Sequence, residues 1–91
     1  MKYLIEFWAK EPFDENMKKI LVIEAERTKK GINFGSNITL PQHYILSEPR
    51  GIMIVEDDDK MSKISKWLKD YLSVMDMKVS PLMLRSEFEK L

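Results

Sequence analysis

The chain has 91 residues, and fifteen basic side chains balance fifteen acidic ones, so its formal net charge is zero with its one histidine neutral. Such a balance argues against electrostatic capture of nucleic acid or of an anionic membrane. The absence of cysteine excludes disulfides, thiolate metal sites and a cysteine nucleophile, and fits a reducing, cytoplasmic setting.

The length suits a single domain over residues 1–91. One core of that size is marginal, so an interface shared between copies would help it. No apolar stretch is long enough to span a bilayer. The opening "MKYLIEFWAKEPF" does not read as a secretory leader, because Glu6 interrupts the apolar run and no small-residue cleavage site follows.

Lys2 to Ala9 reads as a strand, with Tyr3, Ile5, Phe7 and Ala9 on one face and Leu4, Glu6 and Trp8 on the other. Pro12 ends it, and Asp14 is placed to cap a helix. From Glu15 to Lys30 the pattern is helical, with Met17, Leu21, Ala25 and Thr28 along one side. Lys29 and Lys30 suit its negative end, and Gly31 suits the left-handed position after it. Ile20 and Ile23 fall outside this stripe and are available for a contact with another subunit.

After a loop, "INFGSN", a second strand runs from Ile38 to Glu48. Pro41 cannot donate to a ladder, so that strand lies at an edge or is bulged. Pro49 to Gly51 has turn chemistry, and Ile52 to Glu56 is the third strand. In the second helix Met61, Ile64, Trp67, Leu68, Tyr71, Leu72 and Met75 share a stripe. Lys60, Lys63, Lys66 and Lys69 lie around its other side and read as a solvated face, because no arginine or aromatic residue is interleaved with them. Lys78 to Arg85 reads as a last strand, again with a proline, Pro81, that favours an edge, and a short tail follows.

Strand, helix, strand, strand, helix, strand is the order of the split βαβ, or ferredoxin-like, α+β arrangement. Two helices then cover one face of a four-stranded antiparallel sheet. The other face stays open, and with Leu4 and Trp8 on it, it calls for a partner or a ligand.

The run "GIMIVEDDDKMSKISKWLKDYL" has the outline of a response-regulator receiver, in which an acidic pair at a strand end holds magnesium. Too little chain follows Asp59 for the phosphate-accepting aspartate and later strands of such a domain. Aspartates also gather where a helix starts, for capping and for the dipole. Capping is therefore the first reading of the cluster, with a divalent-ion site at Glu56, Asp57 and Asp58 as the alternative. No other metal site and no cofactor is indicated: there is no glycine-rich phosphate loop and no HExxH.

Two residues stand out as candidate acid–base groups. His43 is the one histidine, the residue type whose unperturbed ring changes charge near physiological pH; alternation sets it with Pro41 and Ile45, opposite Gln42 and Tyr44. Glu6 lies between apolar neighbours, so it should meet a base, a donor or water. It reads either as a cavity carboxylate beside Trp8 or as the partner of a lysine across the sheet, such as Lys78. Trp67 reads as core, and the methionines as packing residues.

"MKYLIEFW", "YILSE" before a turn, and "IMIVEDDD" leading to "ISKWLKDYLSVMDMKVSPLM" together make the chain resemble the dimeric α/β-barrel superfamily, and within it a small domain family of uncharacterised function. The tryptophan of the second helix and the Val79–Pro81 step carry most of the likeness. The resemblance implies a homodimer, or a higher oligomer, whose two sheets enclose a pocket. Relatives include cofactor-independent monooxygenases, haem-degrading enzymes, lactone isomerases and ligand-sensing domains. No catalytic residue transfers, since the one histidine is on the second strand. The expectation is a homodimer binding a small apolar or aromatic molecule on the open sheet face, lined by Leu4, Glu6 and Trp8 with His43 or Tyr44 entering from the second strand. Oxygenase- or isomerase-like chemistry without a cofactor, through His43 or Glu6, is one use of such a pocket; non-catalytic sensing or assembly is the other.

Overall fold

The computed structural model describes residues 1–31, 38–48, 50–58 and 62–91. In chain order these form β1 (Lys2–Ala9), α1 (Phe13–Lys30), β2 (Ile38–Ile45), β3 (Arg50–Glu56), α2 (Ser62–Leu68) with a 3₁₀ turn (Lys69–Tyr71), β4 (Met75–Leu82) and a short α3 (Arg85–Phe88). The strands make one four-stranded sheet in the order β2-β3-β1-β4, antiparallel at every pairing. This α+β layout is compatible with the ferredoxin-like arrangement.

The register explains the two faces. Leu4 pairs with Ile54 and Ser80, and Glu6 with Ile52 and Lys78. These even-numbered positions of β1 therefore share a face with Ile52, Ile54, Lys78 and Ser80. Tyr3, Ile5 and Phe7 point the other way and are buried with Met53 and Val55 of β3 and Ile64 and Leu68 of α2. A second cluster joins Ile20 of α1 to Tyr71 and Val74, with Met75 and Met77 packed against it. Both helices thus cover the same side of the sheet. The two proline-bearing strands are its edges, and the β2–β3 register shifts between Ile38 and Leu40 and again between Leu40 and His43, the second shift spanning Pro41.

Gly51 sits where the buried Phe7 ring crosses β3, and a Cβ there would run into that ring. Gly31 ends α1 in the left-handed region, φ 70°, with its N–H donated back to Arg27 and Thr28 carbonyls, as the glycine after the basic turn predicts.

Three expectations are corrected. The helix α1 starts at Phe13 with Pro12 at its N-cap, and Asp14 lies in the first turn without capping it. Its inward face carries Asn16, Ile20 and Arg27, with Met17 and Ile23 half-buried, while Leu21 is 59% exposed and Ala25 and Thr28 face out. Ile20 is therefore core, and not a subunit contact. The hydrophobic pattern pointed the wrong way because the inward stripe ends in two polar residues, Asn16 and Arg27, each of which donates to a backbone carbonyl. Last, β4 begins at Met75, so Met75 belongs to the sheet and Leu72 is exposed. The expectations for the 32–37 loop, for Pro49 and for Asp59, Lys60 and Met61 lie outside the described residues.

Candidate functional site

On the open face, Leu4, Glu6 and Trp8 of β1 lie together with Ile52 and Ile54 of β3. His43 joins the same face at the edge, opposite Ile52. Glu6 does not reach for Lys78. Its carboxylate is 3.1 Å from Arg50 Nη1, and both side chains are largely shielded. Arg50 Nη2 is 3.2 Å from Glu48, and the guanidinium lies 5.9 Å from the Trp8 ring centroid. An arginine fork set against an aromatic face suits this half-buried pairing better than a lysine. His43 Nδ1 is 2.7 Å from the Pro41 carbonyl oxygen, a contact it makes as donor, and the residue is exposed. The two acid–base candidates are thus each engaged with a different partner.

Tyr44 is on the opposite, helix-covered side. Its ring meets Phe7 edge-on, centroids 6.0 Å apart. It belongs to a cleft between α1, α2 and the β2 edge of the sheet. The mouth, about 250 Å³, is lined by Glu24, Arg27, Thr28, Gln42, Trp67 and Tyr71. Beneath it the walls are Phe7, Tyr44, Met75 and Met77, where the free space shrinks to about 10 Å³, room for one water at most.

Arg27 organises the mouth. Its guanidinium is 5.6 Å from the Trp67 centroid and 5.0 Å from that of Tyr71. Nη2 donates to the Trp67 carbonyl and, at 2.8 Å, to Asp70. It thereby takes up one of the carbonyls orphaned at the end of α2. Among the described residues, its buried Nε and Nη1 meet no oxygen partner; the aromatic faces supply part of the missing stabilisation. The Trp67 and Tyr71 rings are tilted 46° at 5.1 Å. Burial pushes the Tyr71 phenol above its ordinary value of 10.0; Arg27 opposes this, and Glu24 and Asp70 add to it.

The acidic cluster divides. Asp57 is 2% exposed, and its Oδ2 accepts the backbone N–H groups of Lys63 and Ile64 at 3.1 and 3.2 Å. It caps α2 from five residues before the helix begins. Glu56 is exposed, and Asp58 turns out to the Met1 amine at 3.5 Å. Among the described residues no three potential ligands converge on one point.

Arg27 is the residue that sequence reasoning missed. Asn16, Ile20, Ile23 and Arg27 do recur at helical spacing, but a hydrophobicity count scores the two ends as surface. No protein-family model matches this chain, and no curated protein is similar to it at a significant level. What stands of the superfamily resemblance is the α+β architecture. Among the described residues no helix is long and apolar enough to cross a membrane.

Proposed function

We propose that this chain is a homodimeric binding protein for a small apolar or aromatic molecule, paired through the open sheet face and holding its ligand in the cleft on the helix side. The cleft carries the reading. Four rings, Phe7, Tyr44, Trp67 and Tyr71, and two methionines wall it, and Arg27, Glu24 and Gln42 stand at its mouth. The mouth is mainly polar and the floor aromatic and thioether, so apolar surface and a few convergent polar groups meet in one concavity, the combination small-molecule sites use. The mouth, at about 250 Å³, is below the roughly 300–1,000 Å³ of drug-sized sites, which points to a single-ring ligand with one polar group. Its apolar end would enter by rotating Met75 and Met77, whose thioether chains repack at little cost.

Binding is favoured over catalysis because Glu6 is engaged by Arg50 and His43 by a carbonyl. Sensing therefore ranks ahead of oxygenase or isomerase chemistry, and a divalent-ion role at Glu56, Asp57 and Asp58 ranks last, since Asp57 is occupied with capping.

The two tryptophans report on opposite faces of the sheet. In ¹⁵N- and ¹³C-methyl-correlated NMR titrations with p-cresol, the Trp67 indole signal and the Met75 and Met77 methyls are expected to move. A shift confined to Trp8 would relocate the ligand to the space between sheets. No shift at millimolar probe would overturn the reading.

A further inference from the structure

We infer that the segment after β4, residues 83–91, is a dimerisation arm: Leu84 and Phe88 of one copy close over the open sheet face of a second copy. The inference rests on the homodimer proposed above and names a surface beyond the sheet itself.

The arm buries almost nothing in its own chain. Met83, Leu84, Phe88 and Leu91 are 51%, 68%, 67% and 88% exposed. The polar bonds of α3 are local, with Leu84 and Arg85 carbonyls taking its N–H groups and Arg85 paired with Glu89 at 2.8 Å. The radius of gyration is 14.3 Å, against about 12 Å for a compact chain of this length, so the molecule is drawn out. Scattered exposed apolar residues are ordinary, but five in ten residues, counting Leu82, make a patch.

The arm is rooted on the open side. Leu82 pairs with Lys2, and Lys2 with Glu56, in the alternation that continues through Leu4, Ile54 and Ser80. A cleft of about 510 Å³ lies at this root, between Met1, Lys2 and Glu56 on one side and Met83, Leu84 and Glu87 on the other. The arm and the open face thus form one continuous surface.

Area selects a second copy as the occupant. The half-buried Leu4, Trp8, Ile52 and Ile54 offer at most about 200 Å² between them, taking as an upper scale the roughly 150–250 Å² of a whole aromatic side chain. The exposed arm offers about 500 Å² on the same scale. A standard interface buries about 800 Å² per partner. Roughly 56–58% of such an interface is apolar, so the sheet face alone falls short of the apolar share and the arm supplies the rest. A two-fold pair brings each arm to the other's face, so one contact is made twice. Charge does not oppose it. The chain is neutral overall, and the open face presents the Glu6–Arg50 pair while the arm presents Arg85 with Glu89.

Sedimentation velocity over a concentration series tests this on the full chain. The exposed positions of the arm make Leu84→Ser/Phe88→Ser a variant whose circular dichroism should match the parent. Its dimer is expected to dissociate at concentrations at least tenfold higher. Leu21→Ser/Val22→Ser, on the outward side of α1, is expected to leave the dimer unchanged. If the arm variant dimerises like the parent while Ile52→Lys does not, the arm inference fails and the sheet-paired dimer stands. If the α1 variant alone dissociates, the interface is elsewhere and both fail. A parent chain that stays monomeric throughout also removes both.

Discussion

Replacing Asp57 separates capping from metal binding. The side chain is 2% exposed and receives the N–H groups of Lys63 and Ile64. Asp57→Ala removes an N-terminal cap, about 0.5–2 kcal/mol, and leaves the N–H of the buried Ile64 with neither cap nor water, about 1–3 kcal/mol more. These terms overlap, and the expected loss is about 2–3 kcal/mol. At roughly 4–8 °C per kcal/mol for a domain of this size, the melting temperature should fall by about 10–20 °C. Asp57→Asn keeps an acceptor oxygen and gives up the charge at the helix start, about 0.3–1 kcal/mol, so it should melt within several degrees of the parent. Thermal unfolding followed by far-ultraviolet circular dichroism reads both, with and without millimolar magnesium or calcium. Equal damage from Asn and Ala would refute the capping argument, because it would mean that the charge and not the acceptor is what the site uses. A metal-dependent rise in melting temperature that disappears in Asp57→Asn would restore the divalent-ion reading.

Gly51→Ala places a methyl group in the Phe7 ring. Overpacking of this kind costs about 1–3 kcal/mol, and Phe7→Leu in the same chain should return part of it in urea unfolding; a Gly51→Ala protein as stable as the parent would contradict the close approach. Glu6 and Arg50, 3.1 Å apart and partly shielded, lie between an exposed pair worth about 0–1 kcal/mol and a buried one costing about 3–5 kcal/mol to break. A double-mutant cycle with Glu6→Gln and Arg50→Met should give a coupling of about 1–2 kcal/mol, whereas the same cycle with Lys78→Met should give close to none; the reverse ranking would put Glu6 back on Lys78. Tyr71 titrates above 10.0 because burial disfavours its phenolate. The unfolded chain then releases this proton first, so the stability that the group contributes is whole below pH 10 and is lost as pH rises through the folded value. Tyrosinate absorbance should show a late step that Tyr71→Phe removes; three tyrosines titrating together would count against it.

Much of the architecture is local in origin and was legible along the chain. Alternation over Lys2–Ala9 set Tyr3, Ile5 and Phe7 against Leu4, Glu6 and Trp8, and the sheet keeps that division, since a period of two survives in any register. Gly31 ended its helix where a residue with positive φ was needed, and Pro41 and Pro81 marked the two edges because proline cannot donate to a ladder. The aspartates before the second helix announced a cap. Pairing across the chain was decided only in three dimensions. Arg27 and Asn16 are inward because Trp67, Asp70 and the Lys10 carbonyl wait there for them, and the hydropathy of α1 holds no trace of those partners. Glu6 met Arg50 and not Lys78, although both strands flank β1, because geometry across the sheet and the Trp8 face chose between two cations of equal charge. Tyr44 was put on the opposite side from His43 by alternation alone, but that this side holds the aromatic cleft depended on how α1, α2 and β2 close over Phe7. Sequence periodicity says which way a side chain points; what it meets there is a property of the packed chain.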